Sequence, residues 1–268
     1  MRRALSIAAL AVFVVAALAP LVWCIYASLV PDAALFHATA PVSFSATSYR
    51  TVLFERAFAQ AIGSSLIVAS ATTALALVLG APCAYALARL RMRGKRVILA
   101  VVLGVSMFPQ ISIVGPLFLV LKSIGLIDTR PGLVLPYVTF ALPLAVWLLS
   151  SFFKDLPREI EEAARVDGAG ALRILVDIIL PLSLPGLATT AIFTFVYCWN
   201  ELVFALSFTV SPEQRTIPVA ITMLRGSHQV PWSQILAAST LATVPVALLV
   251  LVAQRFIVKG LVAGAVKG

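Results

Sequence analysis

The sequence predicts an all-α, polytopic membrane protein: a bundle of six transmembrane helices with both termini cytoplasmic. Three observations carry this. Hydrophobic residues make up 61% of the 268 residues and charged residues only 12%, about half the charge of an ordinary soluble domain, and mean hydropathy is +1.05. The apolar residues arrive in runs of about 20 or more, each long enough at about 1.5 Å per residue to cross a hydrocarbon core about 30 Å thick. Lys and Arg collect between alternate runs. Backbone groups in lipid must be paired within their own segment, and the period-2 alternation of a membrane barrel is absent, so the runs are helices.

The first run, residues 4–30, has no charge between Arg3 and Asp32. Met1-Arg2-Arg3 and Ala17-Leu18-Ala19 resemble the ends of a signal peptide, but the run continues past Pro20 through Trp23 and Tyr26, beyond the roughly 7–15 residues of a signal core. It is expected to stay as an uncleaved helix. The following loop, 31–60, is polar, with an amphipathic stretch at 49–58. The second run, 61–88, is crowded with Gly, Ala, Ser and Thr, which lets helix backbones approach closely and predicts a central position. "RLRMRGKR" then forms a short basic loop. Runs three and four, 97–121 and 132–153, are joined by "KSIGLIDTRPG". Run five, 184–208, is followed by the longer connection "TVSPEQRTIPVAITMLRGSHQVPWS" and by run six, 234–258. Pro82, Pro109, Pro116, Pro136, Pro143 and Pro245 lie inside runs, where each removes a helix hydrogen bond and favours a kink.

Orientation follows from the basic residues, which cytoplasmic loops retain. With the N-terminus inside, 14 of the 20 Lys and Arg fall on the inner side. The net charge of +9 is thereby a matter of topology, and nucleic-acid binding has no place in it. Cys24, Cys83 and Cys198 lie within runs without CxxC or Cys/His spacing, which supports neither a metal site nor a disulfide framework. His37 and His228 fall in outer loops with no acidic partner in the adjoining sequence.

One connection is out of character. Between runs four and five, residues 154–181 carry Pro157, Glu159, Glu161, Glu162 and Gly168: a proline near a helix start, acids in the early turns, and a glycine where a C-terminal turn belongs. Ile160, Ala163 and Ala164 fall together at helical spacing, and after Gly168 the positions of Leu172, Leu175 and Ile179 continue a second helix to Pro181. A helix showing small alanines suits a shallow groove on another protein, with Glu162 free to meet a basic residue at the rim. The competing reading is an interfacial helix that only links two spans.

The order Glu162-Ala163-Ala164, three residues, Gly168, nine residues, Ile178, one residue, Leu180-Pro181 resembles the EAA loop in membrane subunits of binding-protein-dependent ABC importers. "AYALARLRMRGKR", "MFPQISIVGPLFLVLKSIGLIDTRPGLVLPY", "FALPLAVWLLSSFF", "DLPREIEEAARVDGA", "WNELVFAL" and "GLVAGAVKG" are similar to the carbohydrate branch of that family, the maltose-type second permease, over about 64–268. The resemblance implies a type I importer permease divided into residues 1–60, an N-terminal helix and outer loop, and 61–268, the permease domain with its coupling loop at 154–181. It implies a second, different permease, two copies of a cytoplasmic ATPase and an extracytoplasmic sugar-binding protein as partners, the last reached through the loop 211–233. ATP and Mg would sit on the ATPase, with no cofactor on this chain, in which no GxxxxGK[ST] occurs. Coupling would rest on Glu162, Ala163, Ala164, Asp167, Gly168, Ile178, Leu180 and Pro181, and the C-terminal tail would tuck between the ATPase subunits.

Glu201 is the clearest ionisable residue within a run, and such a group is costly unless it faces a cavity or a partner. With Tyr197 and Asn200 within one turn it forms either a lining of the sugar path or a polar clamp between helices. A secondary transporter or channel working alone is the alternative function, but such folds tend to carry several midplane charges. A membrane enzyme would need a cluster of reactive groups at one membrane face, which the sequence lacks.

Overall fold

The computed structural model describes residues 2–37, 41–226 and 230–265, with the side chains of 2, 4 and 255–265 left aside. His228 and the side chains of the C-terminal tail therefore lie outside the described residues. No strand occurs among the described residues. The principal helices are α1 (Arg2–Ser28), α2 (Phe58–Arg89), α3 (Lys95–Ser106), α4 (Gln110–Ser123), α5 (Arg130–Asp155), α6 (Glu159–Val166), α7 (Ala171–Leu182), α8 (Leu184–Trp199), α9 (Val203–Phe208), α10 (Ile217–Met223) and α11 (Trp232–Ala265). Short helical turns at Thr47–Arg50 and Thr51–Glu55 occupy the amphipathic stretch of the first long loop.

Four helices are long and apolar enough to cross a membrane singly: α2 and α5 whole, Leu5–Ser28 of α1 and Trp232–Gln254 of α11. Two bent pairs, α3 with α4 and α7 with α8, bring the total to six if each pair is one span. α2 and α5 form the most extensive helix pair. Ala61, Ser65, Ala69, Thr72, Ala76, Gly80, Ala84 and Ala88 of α2 are all buried at spacings of three or four residues, a continuous seam of small side chains. A Cβ added at Gly80 would stand 3.5 Å from Ala145 and Leu142 of α5, so at this level backbone is packed nearly against side chain. Small residues replace hydrophobic drive with close contact in lipid, and the central place expected for this run is the one it takes.

α5 begins on a built cap. Thr129 Oγ1 accepts the amide of Gly132 at 3.1 Å and donates to Leu126 O at 2.8 Å, with Pro131 in the first turn, where the lost donor costs nothing. Gly132 is obligatory there, since a Cβ would fall 2.0 Å from Leu126 O. By contrast α1 is covered on little of its surface and exposes Leu5, Leu10, Phe13 and Val15, as a helix facing lipid does. It rests on α11, where Cys24 Sγ approaches Thr240 Oγ1 at 3.5 Å.

Two expected spans are not single helices. The run 97–121 breaks at Met107–Pro109, and its halves α3 and α4 meet at 84°. Pro109 has extended backbone, φ −61° and ψ 115°; it supplies no amide, and its ring disfavours a helical residue before it. The other five prolines named above stay inside continuous helices. The run 184–208 stops at Trp199 and restarts at Val203, for a reason that lies in Glu201.

The core has two centres. One gathers Tyr137, Phe140, Trp199, Phe204 and Phe208 around the first half of α2. The other gathers Tyr85, Leu149, Phe153, Ala164, Ile174 and Ile179 at its C-terminal end. The 154–181 loop is thus part of the second core and not an appendage.

Candidate functional site

The loop between α5 and α8 is built as two helices on a rigid turn. Asp155 ends α5, and α6 starts with Glu159, Glu161 and Glu162 in its first turn, where carboxylates favour the dipole. At its end Gly168 takes φ +80°. The amide of Ala169 bonds Ala164 O at 2.9 Å and that of Gly168 bonds Arg165 O at 3.0 Å, the paired bonds of a Schellman motif, and Ala169 packs on the cluster holding Ala164. The left-handed glycine expected from the sequence is therefore present. α7 follows, passing through a wider turn at Leu175–Ile179, and meets α8 at 82°. That corner fits because Gly186 has no side chain: a Cβ would come 2.5 Å from the Phe152 ring.

Gly168 has open space where a Cβ would stand, so a substitution there is penalised by backbone strain alone, of about 1–2 kcal/mol. Gly168→Leu should lower thermal stability slightly and loosen the α6–α7 angle, read as faster proteolysis at 166–170 with little change in yield. Unchanged proteolysis would mean that the turn is not held by this glycine.

α6 is fixed at its base by a buried ion pair. Glu161 has only 6% of its side chain exposed and Arg89, near the end of α2, 3%; Arg89 Nε lies 2.8 Å from Glu161 Oε1. Arg89 Nη2 donates to Leu156 O at 2.6 Å. Tyr85 Oη donates to Glu161 Oε2 at 3.3 Å, and Arg165, half exposed, stands 3.7 Å from the same oxygen. Two charges leave water at a cost of several kcal/mol each, offset here by the close ion pair and by the hydrogen bonds from Tyr85 and to Leu156 O. α2, the end of α5 and α6 are thereby locked together.

This reassigns the helix faces. Ala164 is buried against α2 and α5, whereas Glu162, Ala163, Asp167 and Gly168 are exposed. Ala163 and Ala164 do not share the outward face expected of them, because Glu161, three positions before Ala164, turns that side inward. Ile178 and Leu180 are half-buried and Pro181 is exposed. Glu161 was missed by sequence reasoning. The sequence offered only a carboxylate three positions before an alanine and an arginine near the end of the second run, which does not show that the two meet. Beside the pair, Arg91, Arg158, Glu162 and Arg165 border a cavity of about 310 Å³.

At the far end of α2 the other expected residues separate. Glu201, 6% exposed, accepts the amides of Phe204 at 2.8 Å and Ala205 at 3.2 Å, capping α9. A side chain that satisfies the first amides of a new helix competes with continuing the old one, which explains the interruption at Asn200–Leu202. Asn200 is exposed and, with Leu202, Pro218, Ser239 and Thr243, borders a cavity of about 400 Å³. Tyr197 turns to α4, accepting from Gln110 Nε2 at 2.6 Å. The three residues are neighbours whose hydrogen bonds go to different partners: Tyr197 to Gln110, Asn200 to Val196 O, and Glu201 to the amides of Phe204 and Ala205.

The start of the loop after α9 is tied down. Asp128 accepts the amides of Val210 at 2.8 Å and Ser211 at 3.0 Å as well as the Ser211 hydroxyl. Ser64 Oγ donates to Glu213 O at 2.9 Å, and Ser65 Oγ accepts the Ile217 amide at 2.8 Å. Desolvation raises the Asp128 pKa, but the hydrogen bonds from Ser211 and Val210 and the nearby Arg215 outweigh it and hold the carboxyl below its ordinary value. With the folded value depressed, this tether contributes fully above the unfolded pKa near 3.9 and is lost only as pH falls through the lower folded value. Among the described residues no group of three or more His, Cys, Asp or Glu could hold a metal ion.

A family profile described as binding-protein-dependent transport system inner membrane component matches residues 76–262, a span that contains α6, the Gly168 turn and α7. The chain is 45% identical to the trehalose transport system permease protein SugB of Mycobacterium tuberculosis over 275 aligned residues, covering 100% of this chain and 99% of the relative. It is 39% identical to the trehalose/maltose transport system permease protein MalG of Thermococcus litoralis, covering 100% and 98%. Among solved structures, a chain of a bacterial ABC transporter involved in the import of the acidic polysaccharide alginate matches with a TM-score of 0.79 at 24% identity, over 94% of this chain and 95% of that one. That likeness bears on the fold.

Proposed function

The chain belongs to the binding-protein-dependent transport system inner membrane components, and from that premise we propose that it is a permease subunit of an ATP-driven sugar importer, with a di- or oligosaccharide as cargo. The family is one of transport permeases and not of enzymes. The chain would form the path together with a second permease, receive its sugar from an extracytoplasmic binding protein, and take its energy from an ATPase dimer that carries the ATP and Mg. Sugar as the class of cargo is supported by relatives named for trehalose and maltose that align along the whole chain.

Residues 154–181 are the coupling element in this reading, within a permease domain of 61–268. The observation that carries it is the Arg89–Glu161 pair. A helix that only connected two spans would need no buried ion pair to hold its angle. One that must pass the motion of an ATPase into the bundle needs such a rigid joint, because a push is transmitted only through parts that do not bend. Glu162, Ala163 and Asp167, on the outer side of α6, are the contact surface. Glu201 serves as the polar clamp of the interrupted span, and Asn200 is left as the polar group on the path side. The loop from 211 onward, tethered by Asp128 at its start, presents α10 to the binding protein.

Two measurements test this. Purified through a tag on this chain, the complex should contain an ATPase and a second, different permease; recovery of the chain alone, still transporting, would favour a transporter that works by itself. In intact cells a cysteine at Gly170 should resist an impermeant thiol reagent while one at Gln214 reacts, since both termini and the coupling loop are cytoplasmic in this account. The reverse labelling would overturn the orientation.

A further inference from the structure

The segment that joins α2 to α3 carries more charge than the coupling site uses. Arg89 is withdrawn into its pair with Glu161. Arg91, Arg93, Lys95 and Arg96 remain, four cations within six residues, and none of them forms an ion pair among the described residues. Arg91, Arg93 and Arg96 are exposed. Gly94, at φ +77°, turns the chain into α3, whose first turn has no side-chain cap, leaving amide donors open beside the cations.

Directly against this segment lies an apolar groove of about 510 Å³ between α2, α3 and α5. Cys83 and Leu87 of α2, Val105 of α3 and Val146 of α5 form its walls, while Met92 and Ile98, which bracket three of the four cations, close the end nearest the basic segment. Thr139 and the Cys83 thiol are its main polar features. Water finds few partners in such a site. A neutral lipid tail would satisfy the groove but leave the charges bare. A polar anion would satisfy the charges but not enter the groove. One molecule meets both demands: an amphiphile with an anionic head and a fatty chain. Basic pockets between transmembrane helices recognise lipid head groups by this chemistry.

We propose that the α2–α3–α5 groove and the 91–96 segment bind one anionic phospholipid, its acyl chain in the groove and its phosphate held by Arg91, Arg93, Lys95 and Arg96. The lipid would fill the space beside the bend at Pro109 and hold α3 against α5 next to the joint that carries α6. The site needs only that these helices span a membrane, so it stands or falls apart from the cargo and the ATPase.

Cys83 is exposed in the groove, whereas Cys198 is buried and Cys24 half-buried, so it reports occupancy. The test uses the full chain with its co-purifying subunits, in a Cys24→Ala background, stripped of lipid and then supplied with phosphatidylglycerol or phosphatidylcholine. Phosphatidylglycerol should slow alkylation of Cys83 by N-ethylmaleimide at least about tenfold and remain as one molecule per chain by native mass spectrometry; phosphatidylcholine should do neither. Replacing the four cations together by Gln should weaken retention about 100-fold or more, at about fivefold per charge. Val105→Trp, which fills the groove and leaves every charge in place, should also abolish retention. Equal protection by both lipids, retention undiminished in either variant, or a Cys83 that stays unreactive without lipid because a protein subunit covers it would each overturn the proposal.

Discussion

Arg89→Ala should be among the most damaging single substitutions in this protein, destabilising the assembled permease by about 3–5 kcal/mol, because it leaves the Glu161 carboxylate buried without its cation. The guanidinium holds Glu161 at 2.8 Å and Leu156 O at 2.6 Å, so its loss frees both α6 and the end of α5. The expected result is a large fall in the yield of folded complex and rapid proteolysis within 154–170. Glu161→Ala should do the same for the opposite reason, stranding a buried arginine. The double variant Arg89→Met with Glu161→Leu should recover much of the yield, since well-packed apolar replacements of a buried pair are often neutral. If Arg89→Ala were as stable and protease-resistant as wild type, the pair would not hold the helix.

Glu162→Lys should have the opposite profile. Glu162 is exposed and forms no ion pair among the described residues, so insertion, yield and thermal stability should stay at wild-type levels. A charge at the edge of a docking surface that meets a basic partner couples by several kcal/mol when partly buried, and reversal adds repulsion. ATPase recovered with the complex should therefore fall at least about tenfold and sugar uptake with it. Full uptake by Glu162→Lys would remove this carboxylate from the coupling surface. The contrast between adjacent glutamates is informative in itself: one acts inside the permease and the other outside it.

Much of this was legible in the sequence, and the limits have physical causes. The six apolar runs, the small-residue seam of α2 and the turn at Gly168 follow from hydropathy, side-chain size and backbone freedom, all local properties. The break at Pro109 was half legible: proline marks a weak point in a helix, but Pro82, Pro116, Pro136, Pro143 and Pro245 look alike in sequence and remain in continuous helices. Packing decides which proline becomes a corner. The break at Asn200–Leu202 was not foreseen, because an intramembrane carboxylate draws attention to ligands and partner helices, while Glu201 spends its oxygens on two amides three and four residues ahead. Glu161 and Arg89, 72 positions apart in the chain, could not be paired without knowing that α6 folds back under α2. In the EAA resemblance Ala163 and Ala164 count alike; the fold buries one of them.

That division supplies the most direct measurement. In a background without Cys24, Cys83 and Cys198, single cysteines at Ala163, Ala164 and Asp167 are tested for cross-linking to the co-assembled ATPase with a short bifunctional thiol reagent. Ala163→Cys and Asp167→Cys should cross-link in good yield, and Ala164→Cys, facing α2 and α5, should not. Cross-linking from none of the three, in a complex that still imports sugar, would contradict the claim that the 154–181 loop is where this permease meets its motor.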